Sequence, residues 1–400
     1  MADVPASILQ GDLQDQHNAG YQSALGVTHT EIVTLPGIST QSGFRFENLQ
    51  VSFQALGTLS PARDNAILVC HGLSGTAHVA GTDAQTGRPG WWDFHVGPGK
   101  AIDTDKFFVI GTNALGGCNG TTGPSSFNPT TGKPFGPDFP SVSIRDMVRV
   151  QAKLLDHLGV EKLFAVVGAS MGGMQALGWA VDWPERVRIC IPIASCAAHN
   201  AMQIALNEIG RRAIATDPNW NGGNYSKNQF PAHGLAVARM VGHVSYLSEQ
   251  AMTRKFGRHR QPAGDALNQF SVESYLHHQG ASFVKRFDPN SYLCLTRAID
   301  EFDLFENSSP EEVLRRVSAR FLVISFSTDW LYPPTQSREL VRLLKRAGRA
   351  ATYINLESDY GHDSFLIENP PFADVLRHFL NGEHASKPRR PAASVFADGI

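Results

Sequence analysis

The stretch "KLFAVVGASMGGMQALGWA", residues 162–180, decides the fold. Leu163 to Val167 form a short continuous apolar run, the signature of a buried strand. Met171 onward reads as a helix that runs to Pro184. Between them, Gly168-Ala169-Ser170-Met171-Gly172 spells G-x-S-x-G. Such a spacing suits a serine presented on a sharp strand-to-helix turn, where small residues two before and two after let the chain cross itself. The turn lifts the hydroxyl at the carboxyl end of the strand. It also sets Ser170 at a helix N-terminus, whose free N–H groups and dipole favour developing negative charge. A glycine-rich turn can also cradle a phosphate, but this one has no lysine and does not match the P-loop spacing.

A serine nucleophile needs a base, and the base needs an orienter. A serine turn of this kind takes them in the chain order Ser, Asp or Glu, His. Asp329 follows the apolar run "RFLVISFST", and His362 sits in "ESDYGHDSF" after the strand-like "TYINLE". Both fall just past late strands, so Ser170, Asp329 and His362 are the expected catalytic residues. The other downstream histidines lie in helical stretches or near the C-terminus. Two backbone N–H donors should face the oxyanion: Met171, directly after the serine, and Leu73, in the loop "VCHGLSG" after an early strand.

Outward from the turn, elements alternate. "HTEIVTLPGI" and "FRFENLQVSFQALG" alternate polar and apolar residues as edge-type antiparallel strands do. "NAILVCHG", "DKFFVIGTNALGG", "KLFAVVGAS" and "RICIPIASC" read as buried strands, and helical runs start near Ser143 and Met171. From residue 199 to about 315 strand signal nearly vanishes and helical runs take over. One of them, "AVARMVGHVSYLSEQAMTRKFG", reads as a single long helix. Strands then return, each followed by a helix. The organisation expected is α/β: a mostly parallel sheet with helices on both faces, from residues 29–198 and 316–382, interrupted by a helical cap at 199–315 over the strand ends. Residues 1–28 read as a loose arm and 383–400 as a disordered tail.

Bulk composition narrows the function classes. The 400 residues carry 35 Lys+Arg against 37 Asp+Glu, a formal net charge of -2. No global basic field points to nucleic acid or an anionic membrane. No run of about 18 apolar residues suggests a membrane span, and the polar N-terminus does not read as a secretory signal. Five scattered cysteines without CxxC spacing argue against a disulfide framework or a zinc site and fit a reducing, cytoplasmic setting. No metal is expected.

Together, "CHGLSGTAHVAG", "WWDFHVGPGKAIDTDKFFVIGTNALGGCNGTTGPSS", "GASMGGMQALGWA", "RRAIATDPNWNGG" and "DYGHDSF" resemble the homoserine O-acyltransferases of the α/β-hydrolase fold. The resemblance runs from about residue 28 to 382. It implies acetyl transfer from acetyl-CoA, a co-substrate rather than a bound cofactor, to the hydroxyl of L-homoserine. The implied route is ping-pong through an acyl-Ser170, and the product O-acetyl-L-homoserine would serve methionine biosynthesis. It assigns the homoserine carboxylate to Arg239 in the cap, the ammonium to Asp363, and an assisting role to Tyr246. Leu331 is the expected acyl-side residue; relatives that use succinyl-CoA tend to carry Arg there, so Leu331 favours acetyl. The resemblance also implies a homodimer through the cap. Many members have Ala in place of Gly72 and an acidic residue in place of Thr76, a departure close to the oxyanion loop. Succinyl transfer, serine as acceptor, an esterase of the same fold and a non-catalytic binding member are the alternatives. Serine differs from homoserine by one methylene, worth only about 1–3 kcal/mol of discrimination.

Overall fold

The structure, a computed structural model, describes residues 22–261, 269–306 and 308–385. Its centre is an eight-stranded sheet: β1 (Glu31–Pro36), β2 (Asn48–Leu56), β3 (Ala66–Cys70), β4 (Phe108–Thr112), β5 (Leu163–Ala169), β6 (Val187–Ile193), β7 (Arg320–Phe326) and β8 (Ala351–Leu356). The spatial order is β8-β7-β6-β5-β3-β4-β2-β1. Neighbours from β8 to β4 pair in parallel; β2 runs antiparallel to both β4 and β1 at one edge. The inner parallel strands β3, β5, β6 and β7 are almost wholly buried, whereas the edge strand β8 is half-buried. They therefore read as continuous apolar runs rather than as alternation.

Alternation is still present, but between two apolar layers. Leu68, Val166, Cys190 and Val323 join one core cluster; their neighbours Val69, Val167, Ile191 and Ile324 join the other. The first layer packs under α1 (Ile144–His157), α2 (Met171–Asp182) and α9 (Pro334–Arg346). The second is covered by α10 (Pro370–Ala385), through Phe372, Leu376 and Leu380. It is completed by the Gly/Pro-rich segment after β3, whose Trp91, Trp92, Val96 and Ile102 are buried there. That segment forms no helix, yet it is core.

Between β6 and β7 the chain forms α3 (Ala201–Ala215), α4 (Ala232–Tyr246), α5 (Glu249–Phe256), α6 (Ser271–Val284), α7 (Pro289–Asp300) and α8 (Pro310–Arg315). Helices α3, α4 and α6 pack mainly on one another, and α8 lies against α9. The single helix expected over 236–257 is two. Ser248 caps α5 by accepting from the Ala251 N–H at 2.9 Å. The carbonyl of Leu247, freed at the break, accepts from Trp330 Nε1 at 3.0 Å.

Two expectations at the ends are corrected. Residues 1–21 lie outside the described residues, but 22–28 are not loose: Ser23 Oγ donates to Asp93 Oδ1 at 2.6 Å, and Val27 and Thr28 pair with Thr82 and Asp83. Residues 386–400 likewise lie outside the described residues, while α10 continues through 383–385. There Arg188 donates to the Glu383 carbonyl at 2.7 Å, and His384 packs edge-on against Phe107 and Phe164. Among the described residues no helix is long and apolar enough to cross a membrane.

Candidate active site

Ser170 sits between β5 and α2 with φ 58° and ψ −124°. A non-glycine residue held there stores roughly 1–3 kcal/mol of strain. The surrounding glycines explain how the turn closes. A Cβ on Gly168 would stand 2.1 Å from the Gly172 carbonyl oxygen, and one on Gly172 would stand 2.0 Å from that of Cys70. The backbone is pinned on both sides: Ser170 N–H donates to the Ile193 carbonyl at 3.0 Å, and Ser195 Oγ donates to the Ser170 carbonyl at 2.9 Å. As the residue preceding α2, Ser170 makes no side-chain cap bond. Its hydroxyl is left for chemistry.

Sheet register brings the other groups to this edge. Cys70 of β3 pairs with Gly168, Ile193 with Ile324 of β7, and Phe326 with Leu356 of β8. The loops leaving β3, β5, β7 and β8 therefore start side by side. Asp329, three residues past β7, is buried and uses both oxygens: Oδ2 accepts from His362 Nδ1 at 2.8 Å and Oδ1 from the Tyr332 N–H at 2.8 Å. His362 is held among rings, with Tyr332 stacked at 4.9 Å, Phe365 edge-on at 5.4 Å and Tyr246 tilted at 5.9 Å. Its loop turns at Gly361 (φ 67°), where a Cβ would lie 2.7 Å from the Tyr246 carbonyl oxygen and the Ser248 nitrogen. Trp92 Nε1 ties down the far side by donating to the Phe365 carbonyl at 2.8 Å.

The loop after β3 has an internal clamp. His71 is buried, and burial pushes its pKa down to about 4, so the ring is neutral near pH 7. Nε2 accepts from the Ala114 N–H at 3.0 Å, which leaves Nδ1–H to donate to the Gly72 carbonyl at 2.6 Å. With Gly72 held this way, Leu73 and Ser74 turn into the same cavity as Ser170 and His362. Met171 is the first residue of α2, so its N–H has no partner within the helix. Leu73 thus lines the same cavity as Ser170, and Met171 directly follows it at the start of α2. Sequence reasoning gave His71 no role of its own; its place directly before Gly72, at the end of the strand that leads into the oxyanion loop, was the available signal.

A cavity of ≈ 60 Å³ is lined by Gly72, Leu73, Ser170, Tyr246, His362 and Asp363, with Trp91 and Phe365 as apolar walls. Arg239, on α4, stands beside it. Its guanidinium lies over Phe283 at 4.9 Å and Tyr246 at 5.7 Å, and it donates to Ser74 Oγ at 3.3 Å. Its Nε is buried without a hydrogen-bond partner. Burial raises the Tyr246 phenol pKa, keeping it protonated. Leu331 is placed differently from expectation. Its side chain packs against the main core, and Gln203 Nε2 donates to its carbonyl at 2.8 Å. It does not line the cavity. The next residue, Tyr332, turns inward instead: its ring stacks on His362 at 4.9 Å and its hydroxyl lies 2.7 Å from His199 Nε2.

Comparison with known proteins agrees with this geometry. A model of the alpha/beta hydrolase fold matches residues 65–369. The homoserine O-acetyltransferase of Methanohalobium evestigatum is 51% identical over 382 residues, 94% of this chain and 78% of that protein. That of Gluconobacter oxydans is 50% identical over 375 residues, 90% of this chain and 95% of its own length. Among solved structures, the homoserine O-acetyltransferase of Bacillus anthracis superposes with a TM-score of 0.83 at 31% identity, covering 89% of this chain and 98% of that one. Esterase E22 superposes with a TM-score of 0.81 at 35% identity, covering 88% and 99%. The chain belongs to the homoserine O-acetyltransferase family, an acyltransferase family built on the α/β-hydrolase fold.

Proposed function

We propose that the enzyme transfers an acetyl group from acetyl-CoA to the hydroxyl of L-homoserine by a ping-pong route, yielding O-acetyl-L-homoserine for methionine biosynthesis. The observation that carries this reading is one cavity shared by a strained serine, an Asp329-oriented His362, and a carboxylate and phenol beside a cap arginine. In the first half, His362 takes the Ser170 proton as Oγ attacks the thioester carbonyl. The N–H groups of Leu73 and Met171 stabilise the oxyanion, each worth about 3 kcal/mol in comparable sites. The C–S bond breaks and CoA leaves with the proton from His362. In the second half, His362 takes the homoserine hydroxyl proton, the alkoxide attacks the acyl carbon, the bond from that carbon to Ser170 Oγ breaks, and the proton returns from His362 to Ser170. Arg239 binds the homoserine carboxylate, Asp363 its ammonium, and Tyr246 packs against Arg239. No bound cofactor has a part in this route.

The decisive assay mixes acetyl-CoA with enzyme and follows free thiol with and without homoserine. Fast release only with homoserine is expected; equal release in both sinks the reading. The likeness to esterase E22 favours hydrolysis as the second reading, and equal release is what a hydrolase would give. Repeating the assay with succinyl-CoA and with serine separates the narrower alternatives. On this reading the enzyme works in the cytoplasm, consistent with its five unpaired thiols. It pairs as a homodimer through the cap, where Met202 and Ile209 of α3 and Val237 and Val244 of α4 are exposed.

A further inference from the structure

Two cavities meet at Ser74. The ≈ 60 Å³ cavity that holds Ser170 and His362 shares Ser74, Gly75 and Trp91 with a larger one of ≈ 360 Å³. Each shared residue is held in place. Trp91 Nε1 donates to the Thr76 carbonyl at 3.0 Å, and the Gly75 N–H donates to the Gly72 carbonyl at 3.1 Å. Ser74 is gripped by two arginines: Arg239 donates to its Oγ at 3.3 Å, and Arg286 to its carbonyl at 3.1 Å. Both guanidinium groups lie over Phe283, at 4.9 and 5.2 Å.

The larger cavity has its own chemistry. Its lining carries Arg88 and Arg286 against a single carboxylate, Asp83. That carboxylate serves its own loop: Oδ1 accepts from the Gln85 N–H at 3.1 Å, the Thr86 N–H at 2.7 Å and the Thr86 hydroxyl at 2.8 Å. Burial lowers the pKa of His78, which also lines the cavity, and keeps its ring neutral near pH 7. Asp288, two residues from Arg286, accepts from the Tyr225 hydroxyl and the Ser291 N–H and does not line the cavity. The balance favours an anion, and guanidinium forks suit phosphate oxygens. Thr30, Ser52, Thr76 and Asn119 add neutral groups able to bond amides. Two other cavities among the described residues lack this combination. One, at the β1–β2 edge, has its Arg45 paired with Glu47 at 3.3 Å. The other, between α5 and the loop after β7, is lined by no cation. Neither shares a residue with the catalytic cavity.

We propose that the larger cavity seats the pantetheine arm and phosphates of acyl-CoA, with Arg286 and Arg88 binding phosphate, while the thioester reaches Ser170 past Ser74 and Trp91. This rests on acetyl-CoA being the acyl donor, as proposed above. A CoA thioester must place its carbonyl at Ser170 while a long anionic arm leaves the site, and this cavity joins the serine to cations. The two arginines that hold Ser74 then divide the substrates, Arg239 serving the acceptor and Arg286 the donor.

The test sets acetyl-CoA against S-acetyl-N-acetylcysteamine, which keeps the thioester and one amide but has no phosphate. Thiol release is followed for each at saturating homoserine. The wild type should prefer acetyl-CoA; equal kcat/KM for the two overturns the proposal, because the arm would then bind nowhere. Arg286→Gln should lower kcat/KM for acetyl-CoA roughly 10- to 100-fold, the range for hydrogen bonds to a charged group, and barely change it for the short thioester. Equal losses on both overturn the proposal, because an arginine that merely held the Ser74 loop would act on both; no loss on either does the same. If Arg286→Gln does not fold, Arg88→Gln carries the test. Arg88 is exposed, and its loss should raise the KM for acetyl-CoA alone by about 2- to 5-fold; an unchanged KM overturns the proposal. A wild type that releases no thiol from acetyl-CoA sinks the donor reading itself, whereas an active wild type with equal losses in the variant sinks only this site.

Discussion

Replacing Asp329 by asparagine should cost about 10⁴ in kcat, and the structure says why the amide cannot evade the loss. Asp329 has one oxygen on His362 Nδ1 and the other on the Tyr332 N–H, each at 2.8 Å. Asparagine keeps only one acceptor. The Tyr332 N–H is a fixed backbone donor and claims that oxygen; the reverse flip would set an NH₂ against an N–H in a buried site. The NH₂ therefore faces Nδ1, and the imidazole proton moves to Nε2. A ring protonated at Nε2 cannot accept from Ser170. The same change of tautomer in a serine protease lowers kcat by about 10⁴, close to 5 kcal/mol in activation free energy. Thiol release from acetyl-CoA with saturating homoserine measures kcat, and a thermal melt checks that the near-isosteric variant folds. Retention of more than about a tenth of kcat by a folded variant would refute the orienting role of Asp329.

Ser170→Ala and Ser170→Gly should both lose nearly all turnover. Glycine adopts φ 58° without strain, so the glycine variant should be more stable than the alanine one by about 1 kcal/mol in urea unfolding; equal stabilities would show that the elbow stores no strain. Arg239→Ala should raise the KM for homoserine roughly 10- to 100-fold, the range for hydrogen bonds to a charged group, with a much smaller change for acetyl-CoA; an unchanged homoserine KM sinks that assignment. Burial lowers the folded pKa of His71 and of His95 to about 4, below the ordinary 6.5, so the unfolded chain binds more protons between those values. Stability should therefore fall as pH drops from about 6.5 toward 4, by on the order of 3 kcal/mol per histidine, and His95→Gln should flatten that slope in melts recorded from pH 7 to 5.

The parts legible in the sequence are those with a local cause. Gly168 and Gly172 flank the serine because a Cβ at either would strike backbone, and that demand leaves a fixed spacing. Asp329 and His362 could be found because parallel strands place their carboxyl ends at one edge, so position after a strand is itself a coordinate. What lacked a local cause stayed hidden. Arg239 in "GLAVARMVGH" carries no pattern distinguishing a substrate clamp from a solvated helix arginine, and only family likeness singled it out. His199 and Tyr332 meet across 133 residues, and Asp300 joins from a third element; no spacing encodes such a chain. The break after Tyr246 was lost for a related reason. The stretch has sound helical spacing, and what ends the helix is tertiary: Trp330 takes the Leu247 carbonyl and the Gly361 turn occupies the space beside it. Trp91 and Trp92 sit in a segment whose glycines and prolines forbid a regular element, yet their burial closes one face of the sheet.

The likeness to an esterase locates where the choice of acceptor must be made. A strained serine, a histidine–aspartate couple and two backbone donors serve hydrolysis and transfer equally well, because acyl-enzyme formation is the same in both. Water needs no clamp; homoserine gains its advantage only by being held with its hydroxyl against the acyl carbon. Orientation of that kind is worth effective molarities up to about 10⁵ M or more, ample to outrun unpositioned water. On the proposed reading the advantage lies in Arg239, Tyr246 and Asp363 and not in the triad. Two of those three come from α4 of the cap, and the third adjoins His362 on a loop that packs against the end of that same helix. On that reading a shift of α4 would loosen the acceptor and the base together, and the seating of the cap would also set how far the enzyme behaves as a hydrolase.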